Sequence, residues 1–273
     1  MIGIDFSVDQ QGIGLLSIDR PHVRNALNWA AMQAFAEAIE VSHQFTDLRA
    51  LIVTGAGRTF VSGGDLSELK DYPEQEHGLR LASIMGDALK RLEDLKCPTL
   101  AAINGPARGG GAEIAIACDL RVMAEDADIG FVHTSLGIVT AWGGGQRLLR
   151  IVGFSRALEL LTTGGVISPK DALAMGLTNL ITPVGKALSA ACNLASRIAA
   201  NPMEAVQATK RFLLYGLSHS KDDALAAERS EFPALWDTEF RRQAVDRFLN
   251  KRKGAKSNGR FSPQIMNKGH LQT

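Results

Sequence analysis

Residues Asn104 to Asp119 read NGPARGGGAEIAIACD. Three consecutive glycines, Gly109 to Gly111, stand directly before an apolar, helix-like stretch, and one carboxylate, Glu113, lies just inside it. Glycines at a helix start expose N–H groups that no intrahelical carbonyl satisfies, and the helix dipole adds positive potential at that end. Such a mouth welcomes an anion. With no cation inside the glycine run, that anion can be an oxyanion that develops only during a reaction, a task for which preorganised backbone donors are suited. Glu113 can project near the same mouth as an acid or base. The competing reading is that the glycines only allow close helix packing.

A second glycine-rich stretch, GAGRTFVSGGDLSEL, runs from Gly55 to Leu69. A strand ends at Thr54, the loop carries Gly63 and Gly64, and Asp65 stands at the start of the next helix. Taken alone this is a turn with a helix cap. Neither stretch has the Lys-Ser/Thr of a nucleoside-triphosphate loop, or the Gly-x-Gly-x-x-Gly spacing with a later acidic partner that suits a dinucleotide.

The elements that must hold these loops alternate between short apolar strands and amphipathic helices. GIGLLSID, RALIVTGAG, PTLAAINGPA and LRVMAE read as strands; WAAMQAFAEAIEVSHQF, capped by Asn28, and the stretch from Glu74 to Leu95 read as helices. The rhythm predicts an α/β fold with a parallel sheet. From Phe154 onward the pattern is nearly all helical, which predicts a helical appendage, and the last residues are polar and non-periodic. With 273 residues, 45% of them hydrophobic, the chain can bury a large core. A formal net charge of +1 leaves no basic field for nucleic acid. Cys97, Cys118 and Cys192 have no metal-ligand spacing and read as reduced structural thiols of a cytoplasmic protein. No signal pattern opens the chain, and no apolar run reaches the ~18 residues that span a bilayer.

Together, RPHVRNALN, TFVSGGDLSEL, NGPARGGGAEIAIACDLRVMAEDADIGF, LGIVTAWGGGQRLLRIVG and ISPKDALAMGLTNLITPV resemble, in order and spacing, the enoyl-CoA hydratase/isomerase family, or crotonase superfamily, over about residues 5 to 255. The resemblance implies a spiral of strand-strand-helix turns over residues 1–200 and a helical trimerisation region over 201–255; the polar, non-periodic composition of 256–273 predicts a flexible tail. The resemblance also implies a homotrimer or hexamer active in fatty-acid metabolism, with coenzyme A as part of the substrate and no other cofactor or metal. Two backbone N–H groups, by position those of Ser62 and Gly110, would hold the thioester oxygen and stabilise an enolate. CoA contacts would come from Val23, Arg24 and Ala26, from Ser62, Gly63, Gly64, Asp65 and Leu66, and from Phe248 and Lys251 toward a neighbouring subunit. Trp142 would wall the acyl pocket.

The acid/base pair departs from the hydratase pattern. Glu113 matches the first of the family's two catalytic glutamates, whereas Val132 and His133 occupy the place of the second. His133 can replace that glutamate, since an imidazole of ordinary pKa near 6.5 holds and passes a proton. Hydration of a 2-enoyl-CoA then stands as the expected reaction. The stretch GFVHTSLGIVTAWGGGQRL also resembles the ethylmalonyl-CoA decarboxylase branch, where loss of CO₂ creates the enolate and no second carboxylate need activate water. Isomerases and a dehalogenase of the superfamily place an aspartate where this chain has Ala141, which weakens those readings. His77 lies in a segment of variable length that could form a lid, and Arg147 is expected to fix a helix. A non-catalytic CoA-binding scaffold is the alternative of another class; intact positions 62, 110 and 113 argue against it.

Overall fold

Uninterrupted apolar runs suit strands buried on both faces. The computed structural model, which describes residues 2–257 and side chains as far as residue 250, places them so. Its strands are β1 (Ile4–Val8), β2 (Ile13–Ile18), β3 (Ala50–Gly55), β4 (Thr99–Ile103), β5 (Ala107–Arg108), β6 (Leu120–Ala124), β7 (Ile129–Gly130), β8 (Val166–Ile167) and β9 (Leu180–Thr182). One sheet has the order β1-β2-β3-β4-β6-β9, and the other β5-β7-β8. In the larger sheet every pair is parallel except β1 with β2.

Side chains of a strand point alternately to opposite faces. Leu51 and Val53 of β3 therefore join one core with Phe35, Met85 and Leu89, while Ala50 and Ile52 join another with Ala191 and Ala195. The helices on the first side are α1 (Trp29–Ser42), α2 (Leu66–Leu69), α3 (Gln75–Asp94) and α4 (Gly110–Ala117); α5 (Gly144–Val152), α6 (Phe154–Thr163) and α7 (Pro169–Ala174) follow, and α8 (Ala187–Ala199) covers the second side. Asn28 caps α1 as expected, its side chain accepting from Ala31 N–H at 3.0 Å. Every residue of α4 is buried, which is why its sequence is apolar all round apart from Glu113.

Each circuit of the chain adds a long strand to the large sheet and a short pairing to a second wall. Leu27 bridges Gly64, Val61 bridges Ala107, and β5 then pairs with β7. This stacking is the spiral, and it sets the Gly63–Gly64 loop against the start of α4.

The structure differs from expectation in two places. β1 lies at the sheet edge, where its I-D-F-S-V alternation exposes one face, so it carries no continuous apolar signal. The stretch after Phe154 is not all helix, because β8 and β9 return to the two sheets. Both are very short, and their pairing is long-range.

The chain divides into two compact units, the first ending at Arg211 and the second beginning at Phe212. α9 (Met203–Gly216) crosses that boundary, and within the first unit its Lys210 Nζ donates to the Asp119 carboxylate at 2.6 Å and to the Cys97 carbonyl at 3.0 Å. The second unit contains α10 (Lys221–Trp236) and α11 (Glu239–Ser257). Of the expected tail, residues from 258 on lie outside the described residues. All three cysteines are free, and burial pushes the Cys97 and Cys118 thiols up to about 12. They stay neutral thiols at physiological pH and offer no nucleophile.

The turn before α1 depends on Asn25, which is fully buried in the left-handed region at φ 56°. Its side chain accepts from Arg20 N–H at 2.8 Å and donates to the carbonyls of Ala56, Thr59 and Phe60 at 2.9, 2.7 and 3.1 Å. Asn25→Ala would leave these buried groups unpartnered and lower the unfolding free energy by roughly 3 kcal/mol. A denaturant midpoint unchanged from wild type would show that the turn closes without it.

Candidate active site

The Gly63–Gly64 loop and the start of α4 meet at one cavity of about 310 Å³. Gly63, at φ +97°, comes so close to the neighbouring loop that an added Cβ would stand 3.1 Å from the Arg108 carbonyl and 3.2 Å from Gly110 N. Only glycine combines that backbone angle with that approach. Gly109, at φ 51° and ψ −121°, turns the chain into α4 and leaves Gly110 N at the helix mouth.

Of the two expected oxyanion donors, Gly110 lines the cavity, and its N–H has no acceptor among the described residues. Ser62 also lines the cavity, yet its N–H donates to the Arg24 carbonyl at 3.2 Å. A backbone amide has one hydrogen, so that donor is occupied. The amides on this loop without an acceptor among the described residues are those of Gly63 and Gly64, and Gly64 is held on either side by Leu27 N–H to Gly63 O and Asp65 N–H to Leu27 O, both 2.8 Å. With the Ser62 amide occupied, that of Gly64 is the candidate for the first donor.

Glu113 is 1% exposed. Its Oε2 accepts from Trp142 N–H at 2.9 Å and from Gly144 N–H at 2.7 Å, and its Oε1 lies 3.0 Å from His133 Nε2. The third contact is a hydrogen bond along which a proton can pass between the carboxyl and the imidazole. The expected pair is therefore in direct contact. The other imidazole nitrogen, Nδ1, is buried without a partner among the described residues. His133 is held by the 3₁₀ turn Val132–Leu136, which the left-handed Gly137 ends.

Trp142 is 3% exposed and packs onto α4 so tightly that a Cβ on Gly110 would lie 2.1 Å from its ring. Leu69, Leu81, Ile138 and Val139 complete an apolar wall, and no Lys or Arg is among the residues that line the cavity. Sequence reasoning missed that wall and the two amides on Glu113. A signal for the amides was present: the second glycine run, Gly143 to Gly145, opens α5 just as the first opens α4.

The remaining candidates fall in different settings. Ala26 is buried, while Arg24 is exposed in the left-handed conformation and Val23 ends a 3₁₀ turn. Leu66 lines the cavity with Gly63 and Gly64. Asp65 does not: its carboxylate caps α2 by accepting from Ser67 N–H at 3.2 Å and stands 3.7 Å from the Arg20 guanidinium. His77 pairs with Glu74 at 2.8 Å and is absent from the cavity lining, and Arg147 donates to the Trp142 carbonyl at 2.7 Å. Phe248, in the second unit, is exposed; the Lys251 side chain lies outside the described residues. Among the described residues no group of three or more His, Cys, Asp or Glu could hold a metal ion, and no helix is long and apolar enough to cross a membrane.

The sequence profile of the enoyl-CoA hydratase/isomerase family matches residues 8–257. An ethylmalonyl-CoA decarboxylase of Xenopus laevis is 36% identical over 235 residues, 85% of this chain and 79% of that protein. A short-chain-enoyl-CoA hydratase of Clostridium acetobutylicum is 35% identical over 242 residues, 88% of this chain and 92% of the relative. The crystal structure of an enoyl-CoA hydratase from Bacillus anthracis superposes with a TM-score of 0.86 at 31% identity, covering 91% of this chain and 96% of that one.

Gly110→Ala would drive a methyl into the Trp142 ring and displace the amide that holds Glu113. Turnover should fall about 100-fold, the cost of an ångström-scale misplacement in an active site. Steady-state kinetics on the folded variant checks this; a wild-type rate would mean that the ring yields freely.

Proposed function

Because the chain belongs to the enoyl-CoA hydratase/isomerase family, we propose that it is an acyl-CoA lyase that adds water across the double bond of a 2-enoyl-CoA by way of a thioester enolate. The observation that carries the reading is the 3.0 Å contact between Glu113 and His133 in an apolar cavity beside the free Gly110 amide. Hydration needs a group that takes a proton from water and a group that gives one to the α-carbon.

In this scheme the amides of Gly64 and Gly110 hold the thioester oxygen, and such a donor typically contributes about 2.7–4 kcal/mol to the transition state. Glu113 takes the proton of a water whose oxygen bonds to the β-carbon, and the electron pair of the double bond moves onto the thioester oxygen as the enolate. As the enolate takes the His133 Nε2 proton at the α-carbon, the proton on Glu113 passes to that nitrogen across their hydrogen bond, so the imidazole stays neutral and the pair ends as it began. Only protons and one water move, so coenzyme A, carried by the substrate, is the only cofactor the scheme uses.

A second reading, loss of CO₂ from an α-carboxyacyl-CoA, rests on a different observation. Glu113 is the one carboxylate among the cavity-lining residues, and no Lys or Arg there would pair with a substrate carboxylate. A desolvated, unpaired carboxylate is raised in energy and relieved by leaving as neutral CO₂. The same two amides would receive the enolate, which His133 would protonate while taking up one proton from solvent, so that each turnover consumes one proton and releases CO₂.

For the assembly we propose a homotrimer or a hexamer. α10 has no buried residue, and Phe232, Trp236 and Phe248 are 60%, 52% and 59% exposed. Large apolar side chains in that number suit contact between copies. In such an assembly we propose that Phe248 and Lys251 contact the CoA of a neighbouring subunit.

Crotonyl-CoA and ethylmalonyl-CoA, incubated separately with the protein, decide between the reactions. Loss of the enoyl absorbance with formation of 3-hydroxybutyryl-CoA is the expected result, and butyryl-CoA from ethylmalonyl-CoA would establish the second reading instead. Neither product would leave the scaffold class. Glu113→Gln should lower hydration by at least about 100-fold, and undiminished turnover would remove Glu113 from the mechanism. His133→Ala should also lose activity; wild-type rates would return the imidazole to a packing role.

A further inference from the structure

Glu113 owes its position to a loop that another residue holds. Trp142 N–H and Gly144 N–H both point at Glu113 Oε2, and the peptide between them carries the Trp142 carbonyl. That carbonyl accepts from Arg147 Nη1 at 2.7 Å. Three successive peptides thus alternate, two with their N–H toward the carboxylate and the central one with its C=O toward the guanidinium.

The central peptide can rotate about its Gly143 side, because Gly143 sits at φ +89° and has no side chain. Arg147 blocks that rotation. Its Nη1 lies so near Gly143 that an added Cβ would stand 2.6 Å from it. Arg147 is 8% exposed, and its charge is matched by Glu93 of α3, whose Oε2 lies 3.2 Å from Nη2. A buried guanidinium without such a carboxylate would be strongly unfavourable. α3 also backs the loop directly, since a Cβ on Gly86 would lie 3.6 Å from the Ala141 carbonyl.

We infer that Arg147, paired with Glu93, is a positioning residue for the reaction: it holds the Trp142–Gly143 peptide so that the two neighbouring amides stay aimed at Glu113. The inference rests on the reading of Glu113 as the acid/base above. An arginine that only stabilised the start of α5 would affect folding without acting through Glu113. The two roles separate in a double-mutant cycle.

The cycle uses Arg147→Lys and Arg147→Met, each in the wild-type and in the Glu113→Gln background, with whichever of crotonyl-CoA and ethylmalonyl-CoA the protein turns over. Arg147→Met removes the donor, and Arg147→Lys keeps the charge but not the planar fork. In the wild-type background kcat should fall by about tenfold or more with KM held within about threefold, since a misaimed catalytic group costs rate rather than binding. In the Glu113→Gln background the same substitutions should change kcat by less than about twofold, because the group they position is already lost. An equal fall in both backgrounds, or no fall in either, overturns the inference. If Arg147→Met does not fold, Arg147→Lys gives the same comparison. Wild-type turnover by Glu113→Gln alone would instead overturn the functional reading and this inference with it.

Discussion

A buried carboxylate is the constraint around which this molecule is arranged. Glu113 stands in an otherwise apolar helix, and an ionised side chain removed from water is tolerated only where donors replace its hydration. The chain supplies two backbone amides to one oxygen and an imidazole to the other. That requirement explains residues with no chemistry of their own. Gly144 must be bare because a Cβ there would lie 2.5 Å from Glu113 Cγ, and Gly111 because a Cβ would lie 1.9 Å from the Val61 carbonyl. The two glycine runs are clearances as much as donors.

The spiral is what makes the arrangement possible. Each circuit lays its short second-wall pairing beside the last, so the Gly63–Gly64 loop, the start of α4 and β7 stack in sequence order. Because only Gly109 separates β5 from α4, the position of Gly110 is set by the pairing of β5. Backbone donors placed this way depend little on the side chains around them. The Ser62 amide is engaged with the Arg24 carbonyl, so the proposed donor role passes to the amide of Gly64 two residues later.

The surroundings of the pair decide how strongly those donors act. Trp142, Leu81, Ile138 and Val139 line the cavity, and no Lys or Arg side chain does. Electrostatic interactions gain strength where the effective dielectric constant is low, so two amides facing an oxyanion there hold more charge than they would in water. The imidazole at 133 in place of a second carboxylate suits the same setting. It shares a hydrogen bond with Glu113, where a second carboxylate would add a like charge.

Local signals made much of this legible from the residues alone. Apolar runs announced β2, β3, β4 and β6, the Asn28 cap announced α1, and three glycines before an apolar helix announced exposed amides at its mouth with Glu113 beside them. Such features are encoded within a few neighbouring residues, by alternation, capping and the lack of a Cβ. The tertiary structure decided what depends on distant pairing. It brought β1 and β9 to the sheet, gave the Ser62 amide to Arg24 and left that of Gly64 free, and set His133 against Glu113. It also turned Arg147 from a helix residue into the holder of the loop on which Glu113 rests. The direction of an amide or a guanidinium is chosen by partners many residues away, and only the folded chain brings those partners within reach.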